Sequence, residues 1–218
     1  MAIQSRRSDM LLRSAYDRIA TYHPKGNLDH TARLFLCMIG VQHGGVRDHV
    51  IRVAFLAEGV ARRMQKDPKA AFFAGLFHDT GKLVLPYHLF TNRPITPKEF
   101  DEIKTHAQAG FDILKEMHIF VALCASLHHA LSDNGYGLSR KDFPAHFAWV
   151  RVKAVLDTTT IVSIADFIDA WTSRNDGKVR GTSLKKALLG RYPLDGLTIQ
   201  RALQEQKRIA KASSLIIT

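Results

Sequence analysis

Almost every apolar pattern in this chain recurs at intervals of three and four residues, and no alternating run with hairpin turn signals interrupts it. Side chains spaced this way can be buried together only on helices, so the fold class is all-α. Ser8 is placed to cap a first helix to about Thr21, which His23-Pro24-Lys25-Gly26-Asn27 ends. A second runs from about Asp29 to Gly40 and stops near Gly44-Gly45. Asp48 is placed to cap a third, on which Val50, Ala54, Ala57, Ala61 and Met64 share one face. Asp67-Pro68 opens a short helix, and Thr96-Pro97-Lys98-Glu99 is a capping box for a helix reaching about His118. Its buried stripe is expected to be Ile103, Ala107, Gly110, Leu114 and Met117. Further helices are expected over about Phe120 to Leu131, up to Trp171, after Thr182 or Ser183, and from Thr198 to about Ala212.

A chain of 218 residues with 46% hydrophobic content can enclose one packed core, and it shows neither repeats nor low-complexity runs. Cys37 and Cys124 lie in the apolar runs LFLCMIG and ALCASL, which fits two buried, reduced thiols. No segment supplies the ~18 apolar residues of a membrane span, and the N-terminus lacks a signal-peptide pattern, so the cytoplasm is the expected compartment. The net charge is +11, and from Thr172 onward 10 Lys and Arg face 3 Asp and Glu. No zinc knuckle, aromatic RNA-binding pattern or helix-turn-helix accompanies that charge, so it favours a solvated basic face or a small phosphorylated ligand over nucleic acid.

Chemistry concentrates in five places, each on or at the end of a different expected helix: His49, His78-Asp79, His106, His128-His129 and Asp166. Manganese, iron and zinc accept neutral imidazole and carboxylate, and a carboxylate can bridge two ions where an imidazole cannot. Five histidines and two aspartates are about what a two-metal site requires. Each member alone has an ordinary explanation, because this chain holds 11 histidines and a buried imidazole usually serves packing. The ordered set is what carries the reading.

That set resembles the HD-GYP branch of the HD superfamily over about Asp48 to Gly190. The family's opening His followed by Arg-Val reads here as His49-Val50-Ile51-Arg52-Val53, and its HDxGK as His78-Asp79-Thr80-Gly81-Lys82. The linker, capped helix and HxxxGxxIL segment follow between Leu85 and Leu114. Then come His128-His129, Gly135-Tyr136, and IADFIDAWTS with Asp166. The resemblance implies a compact helical bundle over residues 48–218, with residues 1–47 as a short helical extension. It also implies two divalent ions, iron first with manganese or zinc as alternatives. His49, His78, Asp79 and Asp166 would hold one ion, and Asp79, His106, His128 and His129 the other. Two such ions lower the pKa of a shared water for in-line attack on phosphorus. Lys82 would neutralise charge on the phosphoryl oxygens, and Arg174, Lys178 and Arg180 would contact the rest of the substrate.

The implied activity is hydrolysis of a cyclic dinucleotide, cyclic di-GMP or a relative, to a linear dinucleotide. Gly45 stands where some family members carry a Glu for a third metal, which implies two metals here; other departures fall on the substrate rim, where His128-His129 is followed by Ala130 instead of Glu and GYP becomes Gly135-Tyr136-Gly137. Two other readings follow from them, a phosphohydrolase of another nucleotide or phosphoester, and a silent module that binds a cyclic dinucleotide or a protein. The Gly135-Tyr136-Gly137 loop is the candidate contact for a signalling partner, and the LFLCMIGV face of the second helix the candidate surface for a homodimer.

Overall fold

The computed structural model describes residues 2–91, 93–145, 147–174 and 183–215, with backbone alone at 2–5, 140, 174 and 213–215. Among the described residues the chain is helices, short 3-10 turns and loops, with no strand. The α-helices are α1 (Ala2–Tyr22), α2 (Leu28–Gln42), α3 (Gly44–Arg63), α4 (Pro68–Phe77), α5 (Pro97–Lys104), α6 (His106–Leu114), α7 (Ile119–Leu127), α8 (Trp149–Arg174), α9 (Leu184–Arg191) and α10 (Gly196–Leu215). None of them is long and apolar enough to cross a membrane.

Two short apolar helices explain the architecture. Every residue of α4 from Ala71 to Phe77, and of α7 from Val121 to Leu127, is buried. A helix that is apolar all round must be enclosed by others. α3 supplies much of the enclosure and packs against α1, α2, α4, α8 and α10. On one side Phe72, Phe73, Leu76 and Phe77 of α4 meet Ile19, Phe35, Leu36 and Ile39 from α1 and α2. On the other, Leu56 and Val60 of α3 meet Ile161, Ile164 and Ile168 of α8, with Tyr192 and Ile199 behind them. Two buried carboxylates fasten the outer helices to α3. Glu58 accepts from Arg18, Tyr22 and Arg62, and Glu205 accepts from Arg63 and Arg208. Each buried charge is thereby paired, the condition under which burial of an ion is tolerated.

Local chemistry sets several boundaries as expected. Asp67 accepts the Ala70 amide at 3.0 Å ahead of Pro68, Thr96 and Glu99 form a reciprocal capping box, and Ser183 caps α9. Thr96→Ala is expected to cost about 1 kcal/mol, read as a lowered midpoint in urea denaturation.

Other boundaries differ from the sequence reading. α1 begins six residues before Ser8, whose hydroxyl instead donates to the Asp48 carboxylate at 2.6 Å and ties α1 to α3. α3 begins at Gly44, so Gly44-Gly45 open a helix instead of ending one, and Asp48 lies within it. The helix expected from Pro97 to His118 is interrupted at Thr105, whose hydroxyl donates to the Glu102 carbonyl at 2.7 Å, and it stops at Leu114. Met117, past that end, is 52% exposed. α2 is one-sided: Phe35, Leu36 and Ile39 face inward, while Leu34, Met38, Val41 and Cys37 are exposed. Cys124 is buried, and both thiols are free.

Candidate metal centre

Five helices deliver seven imidazoles and carboxylates to one place, where they form a continuous cluster of donor atoms. His49 comes from the second turn of α3 and Asp166 from α8; the others stand at helix ends. His78 follows α4, His106 follows the end of α5, and His128 follows α7. A helix C-terminus leaves carbonyl oxygens without amide partners. Each of these three histidines turns Nδ1 onto the carbonyl three residues back: Gly75 at 2.7 Å, Ile103 at 2.6 Å and Ala125 at 2.6 Å. A carbonyl can only accept, so Nδ1 carries the proton and Nε2 faces the centre with a free lone pair.

Asp79 lies in the middle and is 1% exposed. Its Oδ2 is 3.3 Å from His78 Nε2 and 3.6 Å from His49 Nε2, its Oδ1 is 3.3 Å from His106 Nε2, and Lys82 ion-pairs with it. Asp166 Oδ1 lies 3.1 Å from His49 Nε2 and 3.8 Å from His78 Nε2. His106 and His128 approach within 3.5 Å through their Nε2 atoms, and the His129 ring packs on His128 at 3.9 Å between centroids. Donor atoms of His49, His78 and Asp79 fall within 4.8 Å of one another, as do those of His106, His128 and His129, and those of His78, His128 and Asp166.

Electrostatics leave these groups in states suited to a cation. Burial would raise the carboxyls of Asp79 and Asp166, but the surrounding basic groups hold both well below the usual carboxylate range. Burial and the neighbouring imidazoles push His128 well down and His129 to about 3, and burial lowers His106 too. These three rings are neutral at neutral pH. For His49 burial is outweighed by Asp166, Asp169 and Asp79, which bring it up to about 9. A cation binding there displaces that proton.

A direct observation agrees that the cluster suits divalent ions. His78 Nε2 and Asp79 Oδ1 are buried without a hydrogen-bond partner, although a buried polar atom is ordinarily satisfied. The approach of His106 to Asp79 Oδ1 lacks hydrogen-bond geometry. Nitrogen and carboxylate donors in this proportion match manganese, iron or zinc.

The model of the HD domain, as that family is described, matches residues 46–171. The chain belongs to the HD domain family. A relative described as a cyclic di-GMP phosphodiesterase of Thermotoga maritima is 30% identical over 141 residues, which are 60% of this chain and 35% of that protein. The chain thus spans about a third of that relative's length. Among solved structures, the HD domain of the L. monocytogenes phosphodiesterase PgpH in complex with cyclic-di-AMP has a TM-score of 0.55 at 18% identity, covering 83% of this chain and 97% of that one. A second structure of the same domain gives a TM-score of 0.54 at 19% identity, covering 84% and 98%. These two likenesses concern the fold.

Two residues of this HD domain's site have no role in the sequence reading, although both lie within its motifs. Asp169 accepts from His49 Nδ1 at 2.7 Å, and Arg52 grips the same carboxylate at 2.7 and 2.9 Å. The signal was available as matched spacing: Arg52 is three residues past His49, and Asp169 three past Asp166, one helical turn in each case. Tyr136, singled out only as part of the loop, packs its ring 4.5 Å from that of His129. The loop bends by a backbone that proline cannot adopt, since Gly137 has φ +111° and a Cβ there would sit 2.2 Å from the Ser126 carbonyl. Lys82 sits at the centre, beside Asp79. Arg174 ends α8 with its side chain outside the described residues, where Lys178 and Arg180 also lie.

Proposed function

We propose that this HD domain is a two-metal phosphodiesterase of the HD-GYP branch that opens a cyclic dinucleotide, cyclic di-GMP or a relative, to the linear dinucleotide. The observation that carries the reading is Asp79, buried among His49, His78 and His106, with one oxygen toward each of two donor groups. His49, His78, Asp79 and Asp166 would hold one cation, and Asp79, His106, His128 and His129 the second, with iron the first candidate and manganese or zinc the alternatives. When bound, such a pair supplies Lewis acidity and an ionised water beside a phosphate. Lys82, beside Asp79 and 18% exposed, is placed to meet charge that grows on the phosphoryl oxygens. His106, His128 and His129, being neutral, add no positive charge of their own and keep their lone pairs for the cation.

The relative described as a cyclic di-GMP phosphodiesterase supports the substrate class, as does the fold shared with a domain bound to cyclic-di-AMP. In this reading residues 48–218 form the catalytic domain and residues 1–47 a helical extension. Arg174, Lys178 and Arg180 contact the substrate away from the scissile bond. The protein works in the cytoplasm, the exposed face of α2 serves a homodimer, and the Gly135-Tyr136-Gly137 loop meets a signalling partner.

The test is a panel of cyclic di-GMP, cyclic di-AMP and bis(p-nitrophenyl) phosphate, assayed without oxygen with iron, manganese or zinc. Elemental analysis is run on the same protein. Linear dinucleotide is expected, and a chelator should stop its formation. Turnover of the nitrophenyl ester alone would replace the reading with a broader phosphohydrolase, and tight binding of cyclic di-GMP without product would make the protein a binding module.

A further inference from the structure

Taking the two-cation reading as its basis, we infer that Asp169, gripped by Arg52, is the positioning residue for His49, and that this clip makes the His49 side of the centre the tighter of the two cation positions. The two sides are unequally built. His78, His106 and His128 are oriented by neutral carbonyls, whereas His49 Nδ1 meets a carboxylate at 2.7 Å whose side chain is 10% exposed. A carboxylate behind an imidazole fixes the ring's tautomer and angle and makes its other nitrogen a stronger donor. Arg52 holds the carboxylate through two bonds, Nε to Oδ1 and Nη2 to Oδ2, so Asp169 cannot rotate away.

The remaining donors point the same way. His49 and His78 share their side with two carboxylates, Asp79 and Asp166. His106, His128 and His129 crowd together with Asp79 3.3 Å from His106, and Asp166, within 4.8 Å of His128, lies nearer to His49 and His78 at 3.1 and 3.8 Å. His129 has a ring contact with Tyr136 where His49, His78, His106 and His128 have a hydrogen bond at Nδ1. A hard cation prefers the oxygen-rich side. Cations therefore load in order, the His49 side first and the His129 side second.

The experiment is calorimetric titration of the chelator-stripped 218-residue chain with Mn2+ alone. Wild type is expected to show two steps, and His129→Ala to remove the weaker one. Asp169→Ala should weaken the tight step about 10- to 100-fold and leave the weak step in place. Asp169→Asn keeps an oxygen that accepts from His49 and the shape of the side chain, so it should restore part of the loss. It also decides the matter if the alanine variant does not fold. An unchanged tight step in both variants would overturn the inference, as would equal weakening of both steps, the result of a merely structural ion pair between α3 and α8. Uptake of fewer than two Mn2+ by wild type would instead overturn the two-cation reading beneath it.

Discussion

Asp79→Ala is expected to lower kcat/KM for the cyclic dinucleotide by about a thousandfold or more, with loss of bound metal and retention of most helicity. A metal pair contributes several kcal/mol of charge stabilisation to phosphoryl transfer, and about 4 kcal/mol corresponds to three powers of ten. Asp79 is the carboxylate that approaches His49, His78, His106 and Lys82 together, so its removal dismantles both halves of the centre. The helices should survive, because the buried faces of α4 and α7 are held by Phe72, Phe77 and Leu123, which do not depend on this carboxylate. His78→Ala should behave alike. Metal analysis, product chromatography and circular dichroism on one preparation check the result. Undiminished turnover by metal-depleted Asp79→Ala protein would exclude the mechanism.

The second large effect is expected at Gly81, within the same motif. A Cβ on Gly81 would lie 1.9 Å from the His106 carbonyl oxygen and 2.7 Å from the Gly110 amide nitrogen. Both are backbone atoms, so no side-chain rotation relieves the overlap. Gly81→Ala must push α6 away from the turn at Thr80–Val84, drawing His106 off Asp79. Overpacking of this kind costs about 3 kcal/mol, and here the loss should come with a missing second Mn2+. Denaturant unfolding and metal stoichiometry measure the two consequences separately. A Gly81→Ala protein as stable as wild type would show that the turn and α6 are not locked together by this contact.

Much of the fold was legible because the polar signals at several helix starts are local. Asp67-Pro68, Thr96 to Glu99 and Ser183 each cap the helix that their spacing announces. Ser8 and Asp48 have the same chemistry, yet they bond to each other across 40 residues, and no local pattern records a partner that distant. Cys37 is exposed, against the expectation of a buried thiol, for a related reason. An unbroken apolar run such as LFLCMIG hides which side of the helix faces the core, whereas Cys124 lies on a helix enclosed all round. In the site, the seven side chains that the motif order names come together in the structure. Single ligands give Asp169 and Arg52 no role, because their importance lies in pairing with a ligand and with each other.

The three imidazoles at helix ends carry a thermodynamic consequence. Because His78, His106 and His128 are each anchored to a main-chain oxygen of their own segment, their rotamers are set once the backbone folds. Little torsional entropy then remains to be lost when an ion arrives, so the affinity reflects bond formation more than reorganisation. The apo protein should accordingly keep a preorganised chelating cage.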